Sequence, residues 1–281
     1  MREVDVEKIS NQIAKLCKEA NYNLGEDVQR AYQQAYQQED NPVAKEILAR
    51  LIENAEIAEK NQVPICQDTG MTVVFLELGQ ELKIVGGELE AAINQGVSRG
   101  YKEGYLRKSV VDDPFLERKN TGDNTPAVIH TEIVPGDELK ITVAPKGFGS
   151  ENMSQMKLLK PTEGKKGVKD FVLQVVKEAG PNPCPPIVVG VGVGGTIEKA
   201  ALLAKKSLLR PIGQANSDDK LARIEAELLS EINETDIGPQ GLGGITTALD
   251  VNLETFPTHI AGLPVVVNIN CHVARHKSVV I

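Results

Sequence analysis

The chain has 281 residues, 41% of them hydrophobic and 25% charged, which is enough apolar sequence for one large domain or two lobes. Its 39 acidic and 31 basic residues give a net charge of −8, and with few aromatic residues and no long basic run this argues against a nucleic-acid-binding protein. No stretch approaches the roughly 18 apolar residues of a membrane span, and the polar start Met1–Asp5 is unlike a secretory signal, so we predict a cytoplasmic protein with reduced thiols.

The first 61 residues are predicted to be helical, because apolar residues recur there at helical spacing and Pro42 suits the first position of a helix. Cys17 falls on the apolar face of the first helix, so we interpret it as a core residue. Strands and helices then alternate. The predicted strands cover residues 72–78, 127–134, 138–144, 186–192, 245–251 and 263–270, and the predicted helices cover 87–103, 165–179, 196–209 and 218–233.

This alternation predicts an α/β fold: a two-lobed domain with small mixed sheets flanked by helices, after a helical N-terminal segment. The connection Pro135-Gly136-Asp137 is short and favours a hairpin between the strands at 127–134 and 138–144. The chain shows no Ser- or Pro-rich linker and no clear repeat. We therefore predict a single catalytic domain over residues 1–281, with a helical start at 1–61 and lobes at roughly 62–164 and 165–281.

Three of the four cysteines lie in loops dense with turn-forming and polar residues. Cys66, Cys184 and Cys271 have Pro, Gly, Asn, Gln and Asp as neighbours, and no C-x-x-C pair is present, which argues against a zinc ribbon or a thioredoxin-like motif. Three thiolates can hold a [4Fe–4S] cube by three corners and leave the fourth iron without a protein ligand, free to act as a Lewis acid. The alternative is three buried, inert thiols.

Other loops carry weaker signals. The glycines of Lys146–Asn152 allow backbone N–H groups to approach an anion, although a structural turn explains them equally well. Gly190–Gly195 lacks the G-x-G-x-x-G spacing of a dinucleotide site, and close backbone packing near a cluster explains it better. Gly238–Gly244 can be a plain turn. Arg107 can clamp a carboxylate or lie on the surface, and a lone histidine such as His259 is more often structural.

Five segments together resemble the α subunit of the class I iron–sulfur hydro-lyases, the oxygen-sensitive fumarases and L(+)-tartrate dehydratases. The resemblance extends over nearly the whole chain, in the same order. The segments are Ile65–Gly70, Asn120–Pro126, Lys146–Asn152, Asn182–Pro186 with the glycine strand after it, and Asn270–His276. The resemblance implies an enzyme that adds water to a dicarboxylic acid, or removes it, with a [4Fe–4S] cluster that has one iron lacking a protein ligand.

The resemblance also implies roles for individual residues. The cluster ligands are Cys66, Cys184 and Cys271; the substrate-contacting residues are Gln67, Arg107, Phe148 and Gly149; and the residues for proton transfer are Asp68 and His259. A smaller residue than Phe148 is expected in that loop, so the shape of the pocket differs from the family pattern.

A partner chain is implied as well. This chain corresponds to the α part, and a β subunit is expected to supply further substrate residues, including the base. The expected assembly is (αβ)₂ or a homodimer of α chains. We predict a fumarase, with L(+)-tartrate dehydratase as the alternative. Two other classes remain open: an iron–sulfur regulatory or sensor protein, and a metal-free binding domain with buried thiols.

Overall fold

The structure is a computed structural model that describes residues 2–281. Its helices are α1 (Val6–Tyr22), α2 (Glu26–Gln38), α3 (Pro42–Asn61), α4 (Leu89–Glu103), α5 (Phe148–Glu151), α6 (Gly164–Ala179), α7 (Ile197–Ser207) and α8 (Asp219–Asn233). Its strands are β1 (Arg2–Asp5), β2 (Met71–Gly79), β3 (Leu82–Val85), β4 (Val128–Val134), β5 (Leu139–Lys146), β6 (Gln155–Leu159), β7 (Ile187–Gly194), β8 (Ala248–Phe256), β9 (Leu263–Asn270) and β10 (Lys277–Val280). Small mixed sheets flanked by helices confirm the predicted α/β class. None of the described helices combines the length and apolar character needed to cross a membrane.

The chain forms two compact units, and each unit is built from separate stretches of the sequence. The first unit contains the described residues up to Leu24, together with Asn54–Phe148 and Arg275–Ile281. The second contains Gly25–Glu53 and Gly149–Ala274. These units differ from the lobes predicted at roughly 62–164 and 165–281. The last strand, β10, returns to pair with β5 of the first unit, a long-range pairing that local sequence pattern does not reveal.

The first unit is built on a four-stranded mixed sheet in the order β10-β5-β2-β4. The helices α1 and α4 pack against each other, and α1 also packs on β5. Their buried faces form a core with the sheet that includes Ile13, Ile93 and Ile141, each fully buried. Cys17 lies in the same core with none of its surface exposed, so its predicted role as a core residue is confirmed.

The predicted hairpin between β4 and β5 is wrong, because β2 lies between them. β2 pairs with β4 in parallel, starting at Val73↔Val128, and with β5 in antiparallel fashion. Residues Val73–Leu76 of β2 are at most 7% exposed, so both faces of this strand are covered, as expected of a central strand. The short connection after β4 therefore crosses the end of β2 instead of making a tight turn.

The second unit contains a four-stranded sheet in the order β6-β9-β7-β8, in which β7 and β8 are parallel and β9 is antiparallel to β7. Val265 and Val267 of β9 belong to the core shared with α6 and α8, whereas Val266 packs with Ala200 and Ala204 of α7. Because side chains alternate along a strand, α7 covers the face opposite α6 and α8.

The glycines of β7 explain how closely α7 approaches the sheet. A Cβ at Gly190 would stand 2.2 Å from the Ala204 carbonyl oxygen, and one at Gly192 would stand 2.0 Å from the Ala200 carbonyl oxygen. Any side chain at either position would therefore clash with helix backbone. The predicted close packing is confirmed, but the neighbour of these two glycines is α7 and not a cysteine loop.

Candidate functional site

Two of the three loop cysteines lie at the same end of the second unit's sheet. Cys184 comes shortly before β7 and Cys271 directly after β9, and the antiparallel register Val188↔Asn270 places these strand ends side by side. The His272 N–H donates a hydrogen bond to the Cys184 carbonyl oxygen at 3.2 Å. The main chain thus joins the two cysteine loops directly.

The Cys184 loop is held in a sharp conformation by the third glycine loop. Cys184 has φ of 56°, and its N–H donates to the Pro181 carbonyl at 3.0 Å. Gln240 donates twice to the Pro185 carbonyl, from its backbone N–H at 2.8 Å and from its side-chain amide at 2.7 Å. Gly241 approaches so closely that a Cβ would lie 2.2 Å from the Pro181 Cβ. The Gly238–Gly244 loop therefore supports the Cys184 loop through these contacts and is not a plain turn.

The Cys271 loop is held by Tyr32, a residue whose role was not predicted. Tyr32 is 1% exposed, and its hydroxyl donates to the His272 carbonyl and lies 3.2 Å from Nδ1 of the His272 ring. Burial, and then the neighbouring Cys271, raise the pKa of the Tyr32 phenol well above its usual value. The phenol therefore stays protonated as a donor. In the sequence, Tyr32 falls on the apolar face of an amphipathic helix, where an aromatic residue indicates only core packing.

The Cys66 loop belongs to the first unit and is fixed by Asp68. One carboxylate oxygen of Asp68 accepts from Gly70 N at 2.9 Å, and the other accepts from Phe148 N at 2.8 Å. Gln67 is exposed, and its side-chain oxygen lies 3.4 Å from the Cys66 sulfur. Because the Phe148 N–H already binds Asp68, this amide is not available to a substrate anion. The contact of Phe148 and Gly149 with a substrate stays a prediction.

Arg107 lies beside the Cys66 loop. Thr69, which is fully buried, donates from its hydroxyl to the Arg107 carbonyl at 2.9 Å, and the Tyr101 hydroxyl donates to the Thr69 carbonyl at 2.6 Å. Arg107 itself is exposed, and its guanidinium has no salt-bridge partner among residues 2–281. The main chain is anchored while the charged group is available, an arrangement suited to binding a carboxylate.

A second cation at this loop, Arg275, was not predicted to take part in the site. It is 5% exposed, donates from Nη2 to the Asp68 carbonyl, and donates from Nε to the Pro145 carbonyl at 3.3 Å. Its Nη1 is buried and makes no hydrogen bond with any described residue. A buried guanidinium without a neutralising carboxylate contributes a positive potential to the loop around it. In the sequence, Arg275 was indicated by its place in the Asn270–His276 segment, which resembles the family.

His259 lies at the other end of the second unit's sheet. It stands in the exposed loop between β8 and β9, and its Nδ1 accepts from Ala261 N at 3.2 Å. The eight residues of β9 separate this loop from Cys271 by about 25 Å. His259 instead lines a mostly apolar cavity of about 420 Å³ with residues such as Leu221 and Leu263. The structure does not bring His259 to the cysteine pair, and its role in proton transfer stays a prediction.

Thiolates are among the side chains that bind iron in iron–sulfur clusters. No group of three or more His, Cys, Asp or Glu side chains within residues 2–281 is arranged to hold a metal ion. Cys66 belongs to the first unit, whereas Cys184 and Cys271 belong to the second. None of the four cysteines forms a disulfide; Cys184 is exposed, and Cys66 and Cys271 are partly exposed. Burial, by contrast, raises the pKa of Cys17 to about 12, so that thiol is unsuited to bind metal.

Comparisons with known proteins show the family of the chain. The family model described as fumarate hydratase (Fumerase) matches residues 10–280. A protein of Methanocaldococcus jannaschii, named as a candidate L(+)-tartrate dehydratase subunit alpha, is 44% identical over 277 residues, which cover 95% of each chain. The L(+)-tartrate dehydratase subunit alpha of Escherichia coli O157:H7 is 31% identical over 278 residues, covering 98% of this chain and 91% of the relative. That of strain UTI89 is 32% identical over 272 residues, covering 96% and 89%. The chain belongs to the fumarate hydratase (Fumerase) family.

Proposed function

We propose that this chain is the α subunit of a [4Fe–4S] hydro-lyase that catalyses the reversible hydration of fumarate to malate. The observation that carries the proposal is the joining of the Cys184 and Cys271 loops through the His272 peptide, in a chain whose family match runs over residues 10–280. A second candidate is the conversion of L(+)-tartrate to oxaloacetate and water. It is favoured by the relatives named as L(+)-tartrate dehydratase subunit alpha.

The proposed ligands of the cluster are Cys66, Cys184 and Cys271. All three stand in loops fixed by hydrogen bonds, and all three are at least partly exposed. When bound, a cluster held by three thiolates supplies one iron that can act as a Lewis acid on a substrate hydroxyl. Everything else the reaction needs must come from side chains and backbone groups, because the protein orients the substrate and moves the proton.

Arg107 is the proposed clamp for a substrate carboxylate. Its guanidinium is exposed and has no ion-pair partner among the described residues, while Thr69 holds its main chain to the Cys66 loop. A planar guanidinium can bind both carboxylate oxygens at once and so orient the substrate. Gln67, exposed next to Cys66, can donate from its amide to the same substrate. Gly149 leaves open space, since a Cβ there would meet nothing closer than the Asn182 carbonyl at 3.9 Å.

Asp68 is the proposed proton-transferring group of this loop. Dehydration of malate removes a weakly acidic proton from the carbon next to a carboxylate and expels a hydroxyl group, so charge grows in the transition state. Both Asp68 oxygens accept backbone hydrogen bonds, yet each keeps a lone pair that can accept a further proton. Asp68 can then relay that proton to a base on a partner chain. His259 remains the second proposed residue for this step.

The proposed partner is a β subunit, and the proposed assembly is (αβ)₂ or a homodimer of α chains. The support is that the relatives are themselves named as alpha subunits. In this proposal the β chain supplies the base and the remaining contacts for the dicarboxylate, so the α chain alone turns over none of the three acids.

The deciding experiment reconstitutes the chain anaerobically with iron and sulfide and assays it with and without the co-expressed β subunit. Fumarate, L-malate and L(+)-tartrate are compared by kcat/KM. A preference for fumarate and malate supports the first candidate, and a preference for tartrate supports the second. A fully loaded α–β complex that turns over none of them would refute the hydro-lyase. Full activity of the α chain alone would refute the divided site.

Oxygen sensitivity gives an independent check. An iron without a protein ligand is open to oxidants and easily lost, so activity and iron content should fall together in air. Both should recover after treatment with iron and a reductant. Activity that survives prolonged exposure to air and a chelator would exclude the proposed cofactor.

A further inference from the structure

We propose that Tyr32 is a positioning residue that fixes the spacing between Cys184 and Cys271 by holding the peptide of His272. This inference rests on the proposed role of both cysteines as cluster ligands. The Tyr32 hydroxyl donates to the His272 carbonyl, so Tyr32 acts through the main chain that joins the two cysteine loops.

Both backbone polar groups of His272 make hydrogen bonds. Its N–H donates to the Cys184 carbonyl at 3.2 Å, and its carbonyl accepts from the Tyr32 hydroxyl. The residue directly before it is Cys271. A shift of this residue would therefore change the position of Cys271 relative to Cys184, and the two hydrogen bonds oppose that shift together.

The hydroxyl group, and not the ring, carries this function. Tyr32 is 1% exposed, so phenylalanine would fill the same space, and apolar packing alone would not require a tyrosine. The hydroxyl also lies within hydrogen-bond distance of the His272 ring. It therefore holds the side chain of His272 as well as its main chain. Leaving a buried hydroxyl or carbonyl without its hydrogen-bond partner costs free energy. This cost favours keeping the Tyr32 hydroxyl paired with the His272 carbonyl.

The test uses the full-length, cluster-free chain carrying Cys17→Ala and Cys66→Ser, so that only Cys184 and Cys271 remain. Phenylarsine oxide, which binds two neighbouring thiols at once, measures their spacing. Adding Tyr32→Phe should weaken this binding about fivefold, as expected for the loss of one hydrogen bond. Tyr36→Phe is the matched control, since Tyr36 lies on the same helix, and it should leave binding unchanged.

Spectroscopy of the loaded chain provides a second readout. In the otherwise unmodified chain, Tyr32→Phe should alter the electron paramagnetic resonance spectrum of the reduced cluster, whereas Tyr36→Phe should not. If Tyr32→Phe binds phenylarsine oxide like its parent and gives the parental spectrum, the proposal is overturned while the cluster stands. If the parent chain never acquires a cluster, the proposed function fails, and phenylarsine oxide still reports on Tyr32.

Folding of the variant is controlled separately. Should Tyr32→Phe reduce the soluble yield, Tyr32→Met also removes the hydroxyl and adapts better to an irregular space. The unmodified chain gives a test without any substitution: hydrogen exchange at the His272 amide should be as slow as in the neighbouring strand β9. Exchange at the rate of an exposed loop would show that this peptide is not held, and would overturn the proposal.

Discussion

Asp68→Ala removes the carboxylate that ties the Cys66 loop to the start of α5. Two hydrogen bonds are lost, those from Gly70 N at 2.9 Å and Phe148 N at 2.8 Å. Hydrogen bonds to charged groups contribute about 1.5–3 kcal/mol each, and the half-buried position of Asp68 favours the lower end. We therefore expect Asp68→Ala to lower the free energy of unfolding by about 3 kcal/mol, and Asp68→Asn, which keeps one acceptor, by about 1.5 kcal/mol.

The measurement is urea unfolding of the cluster-free chain, combined with hydrogen exchange of the peptides that contain Gly70 and Phe148. Both amides should exchange faster in Asp68→Ala, and one of them in Asp68→Asn. Asp218→Ala is the matched control: Asp218 also accepts from two backbone N–H groups, at the start of α8 in the second unit. It should cost about 1 kcal/mol and leave the exchange of both peptides unchanged.

Turnover of the loaded complex then separates the two roles of Asp68. A chemical role predicts that Asp68→Asn lowers kcat by about 100-fold or more although it costs less stability than Asp68→Ala. A purely structural role predicts loss of activity in proportion to the loss of stability. An unchanged urea midpoint and unchanged exchange in Asp68→Ala would refute the reasoning from these two hydrogen bonds.

Three further predictions concern the remaining residues of the site. Serine in place of any of the three proposed cluster ligands should reduce the iron content after anaerobic reconstitution, whereas Cys17→Ser should retain full iron; the reverse pattern would contradict the assignment. Arg107→Ala should raise KM about tenfold or more with little change in kcat, since a charged clamp contributes at least 1.4 kcal/mol, and Lys108→Ala is the control from the same loop. His259→Gln should keep the cluster and lower kcat by about 100-fold if His259 transfers a proton; unchanged kinetics would leave it a structural residue.

Elements with a strong local pattern were predictable from the sequence. The helix predicted at 87–103 is observed as Leu89–Glu103, and the strand predicted at 263–270 is observed with those bounds. The core position of Cys17 follows from helical spacing alone, because one amphipathic face determines which residues are buried. The strand predicted at 245–251 instead begins at Ala248 and continues to Phe256, since its polar second half pairs with β7. Pairing partners determine where such a strand ends.

The pairing of strands and the supports of the cysteine loops were not predictable in this way. β4 and β5 are close in sequence, yet β2 separates them, because the strand buried on both faces takes the centre. Tyr32 and Arg275 act on backbone carbonyls of distant residues. Neither produces a motif: a tyrosine on an apolar helix face and an arginine near a cysteine each have many ordinary explanations. The cysteine loops themselves were recognisable because turn residues surround them.

The proposed substrates are dianions, so an acidic chain needs a way to accept them. A net charge of −8 repels such a substrate at long range, so cations must act close to the binding position. Two arginines meet this requirement in different ways at the Cys66 loop. Arg107 is exposed and can contact a carboxylate directly, whereas Arg275 is 5% exposed and bound to the carbonyls of Asp68 and Pro145. The buried guanidinium of Arg275 cannot move to follow a ligand, so it contributes a constant positive potential. Because the group is buried, salt screens this potential only weakly. In the proposed function, recognition of the substrate therefore depends on Arg107, and Arg275 supplies a positive field that offsets the acidic surface.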